Sequence, residues 1–304
     1  MQPCDLRSKG GCAIISFMKR QDFPTILIAA VLILALLSGC SMLREPEQTD
    51  PHAGMIEVNN GAATVWVRRW DGVEQSLLTQ EEFSVAEDGT VTYTGTRFRA
   101  EQGIDVSYFQ GEIDWSAVAA SGVRFAYIRA GYRGYVSGEI CADERFEANA
   151  AGAKAAGLEV GLYFFSQAVT PEEAKEEAAW LLDAASRFDV TLPLAFDWEA
   201  QTSGDGDPVR TDGMLGPEIT ACAAAFCSAI RAAGRTPAVY ANRWQGYYDY
   251  DLSQLGDAEL WISAPGEWDD FYYAHSMWQY SYESTVPGIA AAVDRNLRFV
   301  PITE

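Results

Sequence analysis

The sequence predicts an α/β fold: an irregular (β/α) barrel of eight strands with few helices in its second half, preceded by a small β unit. Three observations predict it. From Gly103 onward, short apolar runs of strand-forming residues recur. Stretches with helical composition and clear end signals separate the early runs, while the later runs leave little room for helices. The 304 residues, 48% of them hydrophobic, hold one barrel of about 250 residues or fewer plus appendages, and exclude wholesale disorder.

Residues 1–39 read as an address. Lys19 and Arg20 precede an uninterrupted apolar run at 26–37. That run suits the h-region of a secretory signal and falls short of the ~20 residues of a membrane span. Met18 starts a signal of more usual length than Met1 does. The run ends in Leu37-Ser38-Gly39-Cys40, which resembles a bacterial lipobox. Cys40 is then the lipidation site and the mature N-terminus, and the two chains of one diacylglycerol suffice for stable anchoring. The protein is expected on the extracytoplasmic face of a bacterial cell membrane. An uncleaved anchor helix over 23–43 would leave the rest of the chain outside the membrane as well.

Residues 40–54 are polar, contain two prolines and read as a tether. Residues 55–100 read as the small β unit: 64–67 and 90–93 are strand-forming, and Glu87-Asp88-Gly89 is a hairpin turn signal. No chemistry is legible there. Residues 101–304 form the barrel, with strands expected at 104–107, 125–129, 159–165, 194–198, 238–242, 260–263, 277–280 and 292–296. A helix over 143–156 stops at Gly157. Thr170-Pro171-Glu172-Glu173 supplies an N-cap, a proline at N1 and a glutamate at N3, a capping box for a helix to about Phe188. A third helix over 219–233 stops at Gly234.

The net charge of −21 and pI near 4.4 argue against nucleic acid as a partner. They also leave attachment to a membrane to the lipid rather than to surface charge. Two histidines, His52 and His275, are too few for a histidine metal centre, and no C-x-x-C occurs. No metal or cofactor is expected. Cys141, Cys222 and Cys227 read as free thiols. The chain is expected to be monomeric.

In such barrels function sits at the C-terminal ends of the strands. Four carboxylates mark the ends of apolar runs: Asp105, Asp197, Glu199 and Asp294. On a strand, Asp197 and Glu199 share one face, about 6.6 Å apart along the chain. Crowding raises the pKa of one carboxyl while its neighbour stays ionised. An acid beside a charged stabiliser is what glycoside cleavage requires. Tyr127, Tyr163, Tyr240 and Trp278 lie on or near predicted strand ends, where aromatic faces can stack on pyranose rings. Packing in the barrel core is the competing reading for each of them. Trp198, between two inward carboxylates, should face away from them.

Six stretches then carry a resemblance: GIDVSYFQGEIDW (103–115), FAYIRAGYRGY (125–135), AGLEVGLYFFSQA (156–168), LPLAFDWE (192–199), MWQYS (277–281) and VPGIAAAVDRN (286–296). In this order they resemble glycoside hydrolase family 25, the Chalaropsis-type lysozymes. The resemblance implies an irregular barrel that hydrolyses the β-1,4 bond from N-acetylmuramic acid to N-acetylglucosamine in peptidoglycan glycan strands. It implies Glu199 as general acid, Asp197 as its charged partner, and Asp105 and Asp294 as the other two site carboxylates. It places Tyr163 at the sugar site, and Gln279 falls in its fifth stretch among the expected substrate-binding residues. The stretch Trp261-Ile262-Ser263-Ala264-Pro265-Gly266 departs from the family pattern and is expected to shape the subsites differently. By analogy with the family, the substrate acetamide attacks the anomeric carbon and Asp197 steadies the oxazolinium ion. The alternatives are a non-catalytic glycan-binding lipoprotein, and a hydrolase whose carboxylates hold a hard cation.

Overall fold

The computed structural model describes residues 50–204 and 206–302. Cys40, the apolar run and most of the tether lie outside the described residues. Residues 50–53 form a turn, closed by the Ala53 N–H donating to the Asp50 carbonyl. Residues from Gly54 onward form a separate compact unit. Among the described residues, no helix is long and apolar enough to cross a membrane.

That unit opens with two antiparallel hairpins. Strand β1 (Met55–Asn59) pairs with β2 (Thr64–Arg68), and β3 (Phe83–Val85) pairs with β4 (Val91–Tyr93). The barrel strands follow: β5 (Phe98–Val106), β6 (Phe125–Arg133), β8 (Glu159–Ser166), β9 (Leu194–Trp198), β10 (Pro237–Asn242), β11 (Glu259–Ser263), β12 (Met277–Ser284) and β13 (Val293–Pro301). The short β7 (Ile140–Ala142) adds to the edge of β6. The sheet runs β5-β13-β12-β11-β10-β9-β8-β6, and β5–β6 pairing closes it into an eight-stranded barrel. The chain thus folds as the irregular barrel its sequence predicts.

Neighbouring barrel strands are parallel except at β13, which is antiparallel to both β12 and β5. Its pairing with β5 runs from Asp294↔Asp105 to Pro301↔Phe98. Both strands therefore extend several residues beyond the expected 104–107 and 292–296.

Helices α1 (Trp115–Ala120), α2 (Phe146–Ala155), α3 (Pro171–Ser186) and α4 (Gly216–Ala232) cover the first part of the barrel. The Asp114 carboxylate caps α1 by accepting from the N–H groups of Ser116 and Ala117. Thr170 caps α3 as expected, but Glu173 reaches back to the N–H of Val169 at 2.8 Å, one residue upstream of the usual box. Gly157 and Gly234 follow α2 and α4 with positive φ, where a glycine stops a helix without strain. After β10, one π-turn (Gln245–Asp249) and one 3₁₀ turn (Leu252–Gln254) are the helical pieces among the described residues.

The segment 55–97 lies over the flank that helices leave bare. Trp278 on β12 and Phe299 on β13 are both buried. Phe83 meets Trp278 edge-on at 5.4 Å between centroids and Phe299 at 6.3 Å. Tyr93 meets Phe299 at 5.7 Å. The N–H of Trp70 donates to the Tyr273 hydroxyl, and Gln75 bridges Tyr273 through the backbone. The small β unit is thus cladding for the barrel. Inside the barrel, Phe125, Tyr127, Tyr163, Tyr240, Trp261 and Met277 form a second apolar cluster. A Cβ at Gly103 would stand 2.1 Å from the Phe125 ring, and one at Gly161 2.6 Å from Tyr127, so both glycines make room for interior rings.

Candidate active site

The four carboxylates gather at one mouth of the barrel around a cavity of about 180 Å³. Asp105 lies near the end of β5, Asp197 near the end of β9, and Glu199 one residue past β9. Asp294 reaches the same mouth by the opposite route. Because β13 is antiparallel, the start of that strand lies where its neighbours end, and Asp294 is the direct register partner of Asp105.

Asp105 and Asp294 hydrogen-bond each other through their carboxyls. Asp105 also accepts at Oδ2 from Asn296 Nδ2 at 2.7 Å and Gln279 Nε2 at 2.9 Å. Burial pushes Asp105 up, and these donors pull it back toward the ionised form. Burial and then the Asp105 charge push Asp294 up to about 9. The shared proton therefore rests on Asp294, which donates to the Asp105 carboxylate.

Burial, then the charges of Glu199 and Asp105, drive Asp197 well above the usual carboxylate range. Its Oδ1 is buried with no hydrogen-bond partner. Burial and then Asp105 raise Glu199. The cluster thus holds fewer charges than carboxyls, and both members of the β9 pair are pushed toward the neutral form, Asp197 more strongly than Glu199.

The other expected residues divide. Tyr163 and Tyr240 line the cavity, and the Tyr240 hydroxyl donates to Gln279 Oε1 at 2.9 Å. Gln279 lines it too and bridges Asp105 and Asp294. Tyr127 does not line it: the ring is buried deeper in the barrel, 4.8 Å from that of Trp261. Trp278 points the other way, packing on Phe83 and donating from Nε1 to the Ala264 carbonyl at 2.8 Å. Strand alternation explains this, since neighbours on a strand face opposite sides and Gln279 faces in. Trp261, which opens the divergent stretch, forms part of the cavity wall.

Sequence reasoning missed Arg129 and Phe109, both on the cavity wall. Arg129 is a buried cation held by Asp143, with Nε and Nη2 each 2.8 Å from Oδ2. Its guanidinium lies 5.1 Å from the Tyr108 ring and 5.5 Å from that of Phe109, and its charge opposes the rise of Asp197. A charged residue inside the run Phe125–Arg133 was the available signal. Phe109 is 64% exposed and lies against the Tyr108 ring, centroids 4.1 Å apart and planes tilted by 33°. Among the described residues, no group of three or more His, Cys, Asp or Glu side chains is arranged to hold a metal ion. A larger groove of about 910 Å³ lies at the opposite end of the barrel, away from the carboxylates.

The family model for glycosyl hydrolases family 25 matches residues 104–289. The chain belongs to this family. The chain is similar to Lysozyme M1 of Streptomyces globisporus, 28% identical, with the match covering 64% of this chain and 66% of that one. A bacterial lysozyme structure from Streptomyces coelicolor is 28% identical with a TM-score of 0.50, covering 64% of this chain and 90% of that one. The modular autolysin LytC of Streptococcus pneumoniae, solved with a synthetic peptidoglycan ligand, shares the fold. Its TM-score is 0.57 at 19% identity, covering 74% of this chain and 52% of that one. The chain thus spans between about half and two-thirds of the length of Lysozyme M1 and LytC. The family match ends before Asp294 and leaves out the cladding at 55–97.

Proposed function

We propose that this protein is a muramidase, hydrolysing the β-1,4 bond from N-acetylmuramic acid to N-acetylglucosamine in peptidoglycan. The observation that carries the reading is the crowded pair at the end of β9: Glu199, raised toward its acid form, beside Asp197 with one carboxyl oxygen unsatisfied and turned to the cavity it lines. Glu199 gives its proton to the leaving glycosidic oxygen as the C1–O bond breaks. The acetamide oxygen of the muramic residue closes on C1, and Asp197 balances the positive oxazolinium ring. Water then attacks C1 and yields its proton to the Glu199 carboxylate, so the enzyme is regenerated with net retention. Arg129 opposes the rise of Asp197, so the positive charge developing on the ring can draw the Asp197 anion out. The neutral Asp294 and the Asp105 carboxylate fix the hydrogen-bond pattern at the opposite wall of the cavity. Family membership and lysozyme relatives support the reaction class.

The test is digestion of purified peptidoglycan by the full chain beside Glu199→Gln, with mass spectrometry of borohydride-reduced products. Wild type alone should yield new reduced muramic ends. Glycan binding without new ends would sink the reading in favour of a binding protein, and inverted product stereochemistry would exclude the acetamide route.

We also propose that Cys40 carries diacylglycerol and holds the enzyme on the outer face of the cell membrane. The apolar run ending in Ser38-Gly39-Cys40 supports this. Cys40→Ser should move the protein out of the membrane fraction and end labelling by a palmitate analogue; unchanged labelling would refute it.

A further inference from the structure

Strand β9 stops short of the residue that matters most to the proposed chemistry. Its ladder to β8 ends at Ser166↔Trp198, and its ladder to β10 ends at Tyr240↔Asp197. Trp198 closes the β8 ladder and lies beyond the β10 ladder, Glu199 lies beyond both, and a buried carbonyl without a donor is costly. Two glutamines from the flanking elements meet them. Gln167, directly after β8, donates from Nε2 to the Glu199 carbonyl at 2.8 Å. Gln245, in the π-turn after β10, donates from Nε2 to the Trp198 carbonyl. Both side chains are buried, Gln167 completely.

We infer that Gln167 and Gln245 are positioning residues that continue the sheet past the end of β9 and set the place of the Glu199 carboxyl. This inference rests on the muramidase reading for its catalytic consequence, though not for its structural one.

Each amide is itself oriented. Gln167 Oε1 accepts from the Thr211 hydroxyl at 3.3 Å, and its Nε2 also donates to the Ser166 carbonyl at 2.7 Å. Gln245 Oε1 accepts from the Asn242 N–H, while Asn242 Oδ1 accepts from the Gln245 N–H, at 2.9 and 3.0 Å. These partners fix which end of each amide faces β9. The clasp also pins the segment after Glu199: Arg210 donates to the Gln167 carbonyl at 3.1 Å and pairs with Glu173. Burial and charge, not a hydrogen bond, act on the Glu199 carboxyl. Its location therefore depends on its own backbone, and that backbone depends on the clasp. A misplacement of about 1 Å costs on the order of 100-fold in rate.

The charged and titratable groups facing Glu199 are Asp105 from β5, Asp197 from β9, Asp294 from β13, Tyr240 from β10 and Tyr282 from β12. None is altered by removing a glutamine. A Glu199 released toward water loses burial, and its pKa falls.

The experiment compares the full chain with Gln167→Leu and Gln245→Leu, and with Thr211→Val as a near-isosteric variant that removes only the oriented hydroxyl. Cleavage of soluble peptidoglycan fragments gives kcat, KM and the pH profile. Carboxyl-carbon NMR titration gives Glu199 directly, and thermal melting gives the folded fraction. The glutamine variants should lose about 10- to 100-fold in kcat with KM within about threefold. The alkaline limb and the Glu199 titration should both move to lower pH by about half a unit or more. Thr211→Val should move in the same direction by less. A folded glutamine variant with wild-type kcat and an unmoved Glu199 titration overturns the inference, as does a kcat loss that only tracks unfolding in all three variants. If wild type cleaves no peptidoglycan but Glu199 still titrates lower in the variants, the muramidase reading fails and the clasp stands.

Discussion

Phe83→Ala isolates the claim that residues 55–97 replace missing helices. Phe83 is half-buried, and its ring meets Tyr93 at 5.5 Å, Trp278 at 5.4 Å and Phe299 at 6.3 Å, all edge-on. Complete loss of a buried phenylalanine costs about 3–5 kcal/mol, so a half-buried ring with three aromatic partners should cost about 2–3 kcal/mol. For a unit of this size each kcal/mol lowers Tm by about 2–4 °C, which gives a fall of about 4–12 °C. Scanning calorimetry should show this as a shift of one cooperative transition, because the ring joins the cladding to the barrel wall. Val85→Ala, two residues along and 44% exposed, should cost about 0.5 kcal/mol or less. A fall below about 2 °C, or a separate early transition that leaves the main one in place, would refute the cladding argument.

The pKa pattern fixes a pH dependence. Asp294 is held near 9 when folded against an ordinary value of 3.8, so between these values the native state binds the extra proton and stability falls as pH rises. Asp294→Asn, which keeps the neutral form, should melt progressively higher relative to wild type as pH goes from about 5 to 9. A constant difference in Tm across that range would contradict the assignment of the proton to Asp294. Phe109, exposed at the cavity edge, should stack on a sugar ring: Phe109→Ala is expected to raise KM by about 2- to 10-fold with little change in kcat. A kcat loss at constant KM would place Phe109 in the chemistry instead.

Most of the barrel was legible because its parallel strands are short apolar runs punctuated by well-capped helices. The carboxylates stood out because each interrupts or ends such a run. What was hidden depends on pairing. Nothing local says that β13 runs antiparallel, so Asp294 read as one more strand end when it is a strand beginning. Nothing local says that β5 starts at Phe98, because the residues from Arg99 to Gly103 are polar or small and are held by β13. Trp278 and Gln279 both read as inward, although the two-residue period allows only one of them to be. Arg129, a cation inside an apolar strand, is as loud a signal as the acids. The glutamine clasp was out of reach: Gln167 and Gln245 are ordinary loop residues until folding brings them to either side of β9.

The antiparallel closure also makes the site depend on both ends of the barrel sequence at once. Strand β5 opens the barrel in sequence and β13 completes it, so their pairing demands the longest loop closure in the sheet. Until β13 zips onto β5, Asp105 lacks the Asn296 amide and the Asp294 proton, and the mouth has a missing wall. A partly synthesised or partly threaded chain therefore carries three of the four carboxylates without the hydrogen-bonded frame that tunes them. The site is complete only when the strand that shuts the barrel is paired with the strand that began it.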